Sequence, residues 1–188
     1  EDWSNGMRNS QEYTLALIGF LTTLPVKRIM LPDTLGLLSP EETKAFFIQI
    51  STKFPNAHFD FHAHNDYDLS VANVMEAIMY GASGIHTTIN GLGERAGNAP
   101  LESVIAVIKD FTDLQINVQE QKIYRVSKLV EQFSGQHIPA NKPVVGENVF
   151  TQTAGIHADG DNKRLPYDPF SRSKTFCATS LKHLRKII

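Results

Sequence analysis

Ala57-His58-Phe59-Asp60-Phe61-His62-Ala63-His64 alternates apolar and polar residues, which is the period of a β-strand. In an extended chain the side chains at i and i+2 leave the same face. His62 and His64 therefore offer two imidazoles to one point in space, a grip suited to a divalent ion. A lone His-x-His is a weak signal. Here Asn65-Asp66 follows it directly, and 26 residues after His64 begins Asn90-Gly91-Leu92-Gly93-Glu94-Arg95-Ala96-Gly97-Asn98, which makes the combination far more specific.

Working outward, Lys27–Leu31 reads as a strand leading into Pro32-Asp33-Thr34-Leu35-Gly36, and Gly84–Ile89 reads as a third strand. Between them the period changes to that of helices. Residues 10–24 carry Tyr13, Leu17, Phe20 and Leu21 at helical spacing before Pro25. Ser39 and Glu42 form a capping box with Pro40 in the first helical position, opening a helix to about Phe54. Leu69–Tyr80 is helical and closed by Gly81, and Asn98-Ala99-Pro100 opens a helix to about Asp110. This alternation of strand and helix predicts parallel strands joined by crossover helices, an α/β fold. Asp33-Thr34, His62-His64 and Asn90–Glu94 each follow a strand, on the face where parallel β/α folds bind ligands.

Beyond residue 112 the pattern loosens. Val118–Gly135 reads as one more helix, with Ile123, Val126, Leu129, Val130 and Phe133 on its apolar side. Pro139, Pro143 and Gly146 then punctuate a stretch that ends in Ala154-Gly155-Ile156-His157-Ala158-Asp159-Gly160-Asp161. The expected organisation is an α/β unit over 1–112, a mostly helical linker subdomain over 113–168, and a tail of unassigned structure over 169–188. The 188 residues are 41% hydrophobic and 20% charged, ordinary for a folded domain. A net charge of −2 offers no footprint for nucleic acid or an anionic membrane. The single cysteine, Cys177, excludes an intrachain disulfide and fits a reducing, cytoplasmic setting. No apolar run approaches the roughly 18 residues of a membrane span. The start, Glu1-Asp2-Trp3-Ser4-Asn5-Gly6, has no initiator Met and no secretory pattern, as though cut from a longer chain.

Leu31–Gly36, Phe61–Asp66, Asn90–Ala99 and Gly155–Gly160 occur in the order found in 2-isopropylmalate synthases, and the chain resembles that family over roughly residues 1–165. Citramalate synthase, homocitrate synthase and hydroxymethylglutaryl-CoA lyase belong to the same superfamily. The stretches Glu1–Gly6 and Ala154–Asp161 look closest to the citramalate branch. The resemblance implies about the last three β/α units of a TIM (β/α)8 barrel followed by the linker. It also implies a condensation of acetyl-CoA with a 2-oxo acid, 2-oxoisovalerate or pyruvate, in branched-chain amino-acid synthesis. The family's first-strand Arg-Asp segment and its regulatory domain are missing, and the residues from Pro169 onward depart from its pattern.

Carried over residue by residue, the resemblance makes His62 and His64 ligands of a divalent ion (Zn, Mn, Mg or Co), with Asn98 as an amide donor. It makes Thr34 a hydrogen-bond donor to the carboxylate of the 2-oxo acid, while Asp33 holds the turn. His157 would serve as base, assisted by Glu1 and oriented by Asp159. Glu94 is a further carboxylate in reach, with loop pinning through Arg95 as its alternative role. Asn65 and Asp66 are expected to brace the His62-His64 loop and fix the imidazole tautomer. Gly91, Gly93 and Gly97 give a backbone able to adopt positive φ and let a bulky coenzyme approach. The family's linker histidine enters the neighbouring subunit, so a domain-swapped homodimer is implied. His58, His86, His137 and His183 match no motif and are expected to be structural or solvent-facing. Three other readings stand beside this one: a lyase working in the reverse direction, a homocitrate synthase, and a non-catalytic half-barrel.

Overall fold

A computed structural model describes residues 2–149. Glu1, His157, Asp159, Cys177, His183 and the 169–188 tail lie outside those residues. The described chain runs α1 (Trp3–Asn9), α2 (Gln11–Thr22), β1 (Ile29–Asp33), α3 (Pro40–Lys53), β2 (Phe59–Ala63), α4 (Ser70–Met79), β3 (Gly84–His86), α5 (Leu101–Phe111) and α6 (Ile123–Ser134). The strands form a parallel sheet in the order β1-β2-β3, in a register that sets Pro32 opposite His62 and His62 opposite His86. Packing divides the chain into two compact units, residues 1–108 and 109 onward, a division that falls inside α5.

Local chemistry places the first crossover helix. Ser39 Oγ accepts from the Glu42 amide, Glu42 Oε2 accepts from the Ser39 amide, and Pro40 opens α3. Arg8, at the end of α1, donates to both oxygens of Glu42 at 2.6–2.8 Å. That hydrogen bond, together with the Ser39 donors, holds the Glu42 carboxyl down at about 2. The core then forms on one side of the sheet. Phe59, Phe61 and Ala63 point into it from β2 and meet Phe47 and Ile50 of α3 and Val74 and Ala77 of α4. Trp3 of α1 packs edge-on against Phe46, Phe47 and Phe61, with centroids 5.6–6.4 Å apart. Because strand side chains alternate, this commitment sends Asp60 and His62 to the opposite face.

Several elements differ from expectation. A separate helix, α1, precedes α2, and it buries Trp3, Ser4 and Met7. β1 runs on through Pro32 to Asp33, in parallel register with β2. β3 spans three residues and gives way to a 3-10 turn at Ile89–Gly91. The buried side of α2 is Thr14, Leu15 and Ile18, whereas Tyr13 is 70% and Phe20 59% exposed. In the second unit, α6 starts at Ile123 after a 3-10 turn, ends at the left-handed Gly135, and buries Ile123 and Ser127 while Leu129 and Phe133 stay exposed. No helix among the described residues is long and apolar enough to cross a membrane.

Candidate metal centre

At the carboxyl end of β2 the Nε2 atoms of His62 and His64 stand 3.3 Å apart, their rings steeply inclined at 80°. Two nitrogens each about 2.0–2.1 Å from a tetrahedral zinc ion lie about 3.3 Å apart. The Nδ1 atoms of both rings are buried and without partners among the described residues. Burial, and then the nearby His64 and His86, depress the His62 pKa and favour its neutral, lone-pair-bearing form. The end of the strand therefore delivers two imidazole nitrogens to one point.

Asn98 is brought alongside by main-chain stitching. It forms an antiparallel bridge with His64, the Asn65 amide donates to Gly97 O at 2.9 Å, and the Ala99 amide donates to Ala63 O at 3.1 Å. Asn98 Nδ2 donates to Leu92 O at 3.1 Å, which fixes which way the amide faces. Its Oδ1 is buried and has no partner among the described residues. A buried carbonyl oxygen is normally satisfied, so this one is available to a ligand. Gly93 has no side chain because a Cβ there would strike the Asn98 amide nitrogen. Its φ is not in the positive range, unlike Gly91 at 72° and Gly97 at 91°: of the three glycines, Gly93 is needed for space, not conformational freedom.

One arginine ties the three strand-end loops together. Arg95 donates to both oxygens of Asp66 at 2.7 and 2.9 Å and to Thr34 O at 2.7 Å. Glu94 is 84% exposed, with Oε2 3.8 Å from Arg95. Thr34 Oγ1 accepts from the Asp2 amide at 2.8 Å, which leaves its O–H free to donate. Asp33 is buried, and its carboxylate accepts from the Leu37 and Leu38 amides, holding the turn.

Asn65 and Asp66 brace the loop that follows β2, but neither bonds a histidine ring, so the tautomer-fixing part of their expected role is not seen. Asn65 Oδ1 accepts from the amide and hydroxyl of Ser70, at the start of α4, and Asp66 is committed to Arg95. Both side chains are consumed in fixing loops. His58 and His86, unassigned by motif, instead flank the buried Asp60 directly below His62. The signal was present in the strand period, but it needed the register of β3 against β2 to become readable. Glu102 was also overlooked; its buried carboxylate accepts from the amide of Asn90, whose φ is 61°.

No cluster of three His, Cys, Asp or Glu side chains shaped for a metal occurs among the described residues. What they supply is two imidazoles and one orphaned amide oxygen, a mixed nitrogen and oxygen set that fits a divalent ion.

A family model described as HMGL-like matches residues 4–130. The chain belongs to the HMGL-like family. It is 39% identical over 175 residues to a homocitrate synthase of Sulfolobus acidocaldarius, covering 90% of this chain and 37% of that protein. A homocitrate synthase of Saccharolobus islandicus is 36% identical over 178 residues, 92% of this chain and 38% of the relative. The chain thus spans less than two fifths of the length of these curated relatives. Among solved structures, an HMG-CoA lyase from Acinetobacter baumannii in complex with coenzyme A and 3-methylmalate matches with a TM-score of 0.65 at 20% identity, over 77% of this chain and 49% of that one. This likeness carries the fold: the three strands of this HMGL-like chain are part of a TIM barrel.

Proposed function

We propose that the protein joins acetyl-CoA to a 2-oxo acid in a metal-assisted Claisen condensation, and that this chain supplies the ion's two imidazole ligands. The observation that carries the reading is the 3.3 Å approach of the His62 and His64 nitrogens at the ligand-binding end of a parallel sheet. The orphaned Asn98 Oδ1 beside them supports it. A divalent ion held there would polarise the keto group and stabilise the negative charge that develops on its oxygen.

His62 and His64 would hold the ion through their ring nitrogens, and Asn98 would present its amide oxygen. The free O–H of Thr34 is suited to donate to the substrate carboxylate, which orients the acid without adding a charge that competes with the ion. Arg95 keeps the loops that carry Thr34 and Asn98 in register. The acetyl methyl loses a proton to a base, its carbon bonds to the keto carbon, the keto oxygen takes up a proton, and water then cleaves the thioester to release CoA. We assign the base to His157, assisted by Glu1 and oriented by Asp159, with Glu94 as a further carboxylate, on the family pattern alone. The same pattern supports a domain-swapped homodimer and the partition of the chain at 112 and 168.

Two sources of support point to different acids. The motifs resemble those of 2-isopropylmalate and citramalate synthases, which would take 2-oxoisovalerate or pyruvate in leucine or isoleucine synthesis. The relatives at 36–39% identity are named homocitrate synthases, which favours 2-oxoglutarate. Release of free thiol from acetyl-CoA by the full-length protein, measured with each acid in turn, separates them. The expected result is turnover with one acid, lost on chelation and restored by added divalent metal. No turnover with any of the three overturns the condensation and leaves the lyase direction or a non-catalytic half-barrel, while turnover indifferent to chelation overturns the metal-assisted mechanism.

A further inference from the structure

Asp60 lies two residues before His62 on the same face of β2 and is only 4% exposed. A buried carboxylate must find partners. It finds His58 Nε2 at 2.9 Å, His86 Nε2 at 3.4 Å and Arg28 Nη1 at 3.5 Å. Space for it is built into the neighbouring strand: Gly84 is its register partner, and a Cβ on Gly84 would collide with Asp60 Oδ1. His86, two residues along β3 from Gly84, is in turn the register partner of His62. Its ring meets the His62 ring edge-on, with centroids 5.6 Å apart and planes at 73°.

Metal-binding histidines normally donate their second ring N–H to a carboxylate or carbonyl, which fixes the ring. His62 Nδ1 has no such partner among the described residues. Its orientation therefore depends on the rings packed against it, His64 on one side and His86 on the other. Of these, His64 shares the grip, so the independent restraint is His86.

We propose that Asp60 and His86 form a positioning pair: Asp60 anchors the His86 ring, and that ring holds the His62 imidazole in its ion-gripping orientation. Neither residue touches the ion. The inference rests on His62 and His64 being the grip, and it assigns a role to two residues that no motif marks. The bare Gly84 belongs to the same device, since any larger residue would expel the anchoring carboxylate.

Cobalt(II) added to the metal-free full-length protein reads the device directly, through its dissociation constant and its visible absorption band. His86→Ala is expected to weaken cobalt binding about 10-fold or more, the usual effect of losing a supporting partner, and to alter the band. His86→Phe keeps a ring but severs the tie to Asp60, and should fall between the wild type and His86→Ala. The double variant Asp60→Asn/His86→Ala should bind no more weakly than His86→Ala alone, because the two residues act as one unit. Circular dichroism checks folding, and His86→Phe, with its similar volume, carries the test should His86→Ala not fold. If both His86 variants bind cobalt with the wild-type constant and band, or if the losses from Asp60 and His86 simply add, the positioning pair is refuted. Should the wild type bind no cobalt, the histidine grip itself fails, and the inference with it.

Discussion

Two clusters share one face of β2, and they are treated oppositely by their surroundings. At the carboxyl end, His62, His64 and Asn98 present buried atoms that nothing in the described chain satisfies. Two residues back, Asp60 is met by three partners and seated over a bare glycine. Folding removes unsatisfied buried groups where it can, since each costs about 1–3 kcal/mol. On the proposed reading, the upper cluster is left open to a ligand and the lower one supports it. Composition does not separate them, because both are built largely from histidine on one strand face.

Substitutions can break this comparison. The largest effect is expected at the upper cluster: His62→Ala or His64→Ala in the full-length protein should lower turnover by about 100-fold or more, exceeding the 10–100-fold usual for supporting partners. A thiol-release assay measures it, and near-normal turnover would place the grip elsewhere. Gly93→Ala comes next. The added methyl must displace the Asn98 amide, so ion affinity should fall about 10-fold, with a loss of about 1–3 kcal/mol in stability from overpacking. Titration calorimetry and denaturant unfolding check the two parts separately.

The smallest effect should leave both clusters untouched. Ser39→Ala removes the cap of α3 and should cost about 1 kcal/mol at neutral pH with ion binding unchanged. Glu42 adds a pH signature to the same helix end. Its folded pKa is depressed to about 2 against an unfolded value of about 4.3, so its contribution is present above the unfolded value and fades as pH falls towards 2. Unfolding curves of the wild type and Glu42→Gln should therefore converge as pH drops from about 5 to 2. A gap that stayed constant over that window would mean that the Arg8–Glu42 contact contributes nothing through its charge.

Much of the frame was legible because it is local. The capping box at Ser39 and Glu42, the two-residue spacing of His62 and His64, and the turn held by Asp33 depend on residues within a few positions of one another. The apolar side of α2 misled, since Tyr13, Leu17 and Phe20 have helical spacing yet face outward while Leu15 and Ile18 are buried. Helical period says that residues share a face, not which face the core will cover. The tautomer-fixing role given to Asn65 and Asp66 is not seen, for a related reason. Both can hydrogen-bond almost anything near, and Ser70 and Arg95 reach them first.

By itself the order of residues determined the α/β alternation, the family and the pair of imidazoles on one strand face, because periodicity and capping act over a few residues. Only the tertiary structure decided what surrounds that pair. The parallel register put His86 beside His62 and Gly84 beside Asp60, and main-chain bonds drew Asn98 to His64 from 34 positions away. Such neighbours are chosen by strand register and loop closure, which depend on how the whole sheet packs against its helices and not on any single stretch of chain.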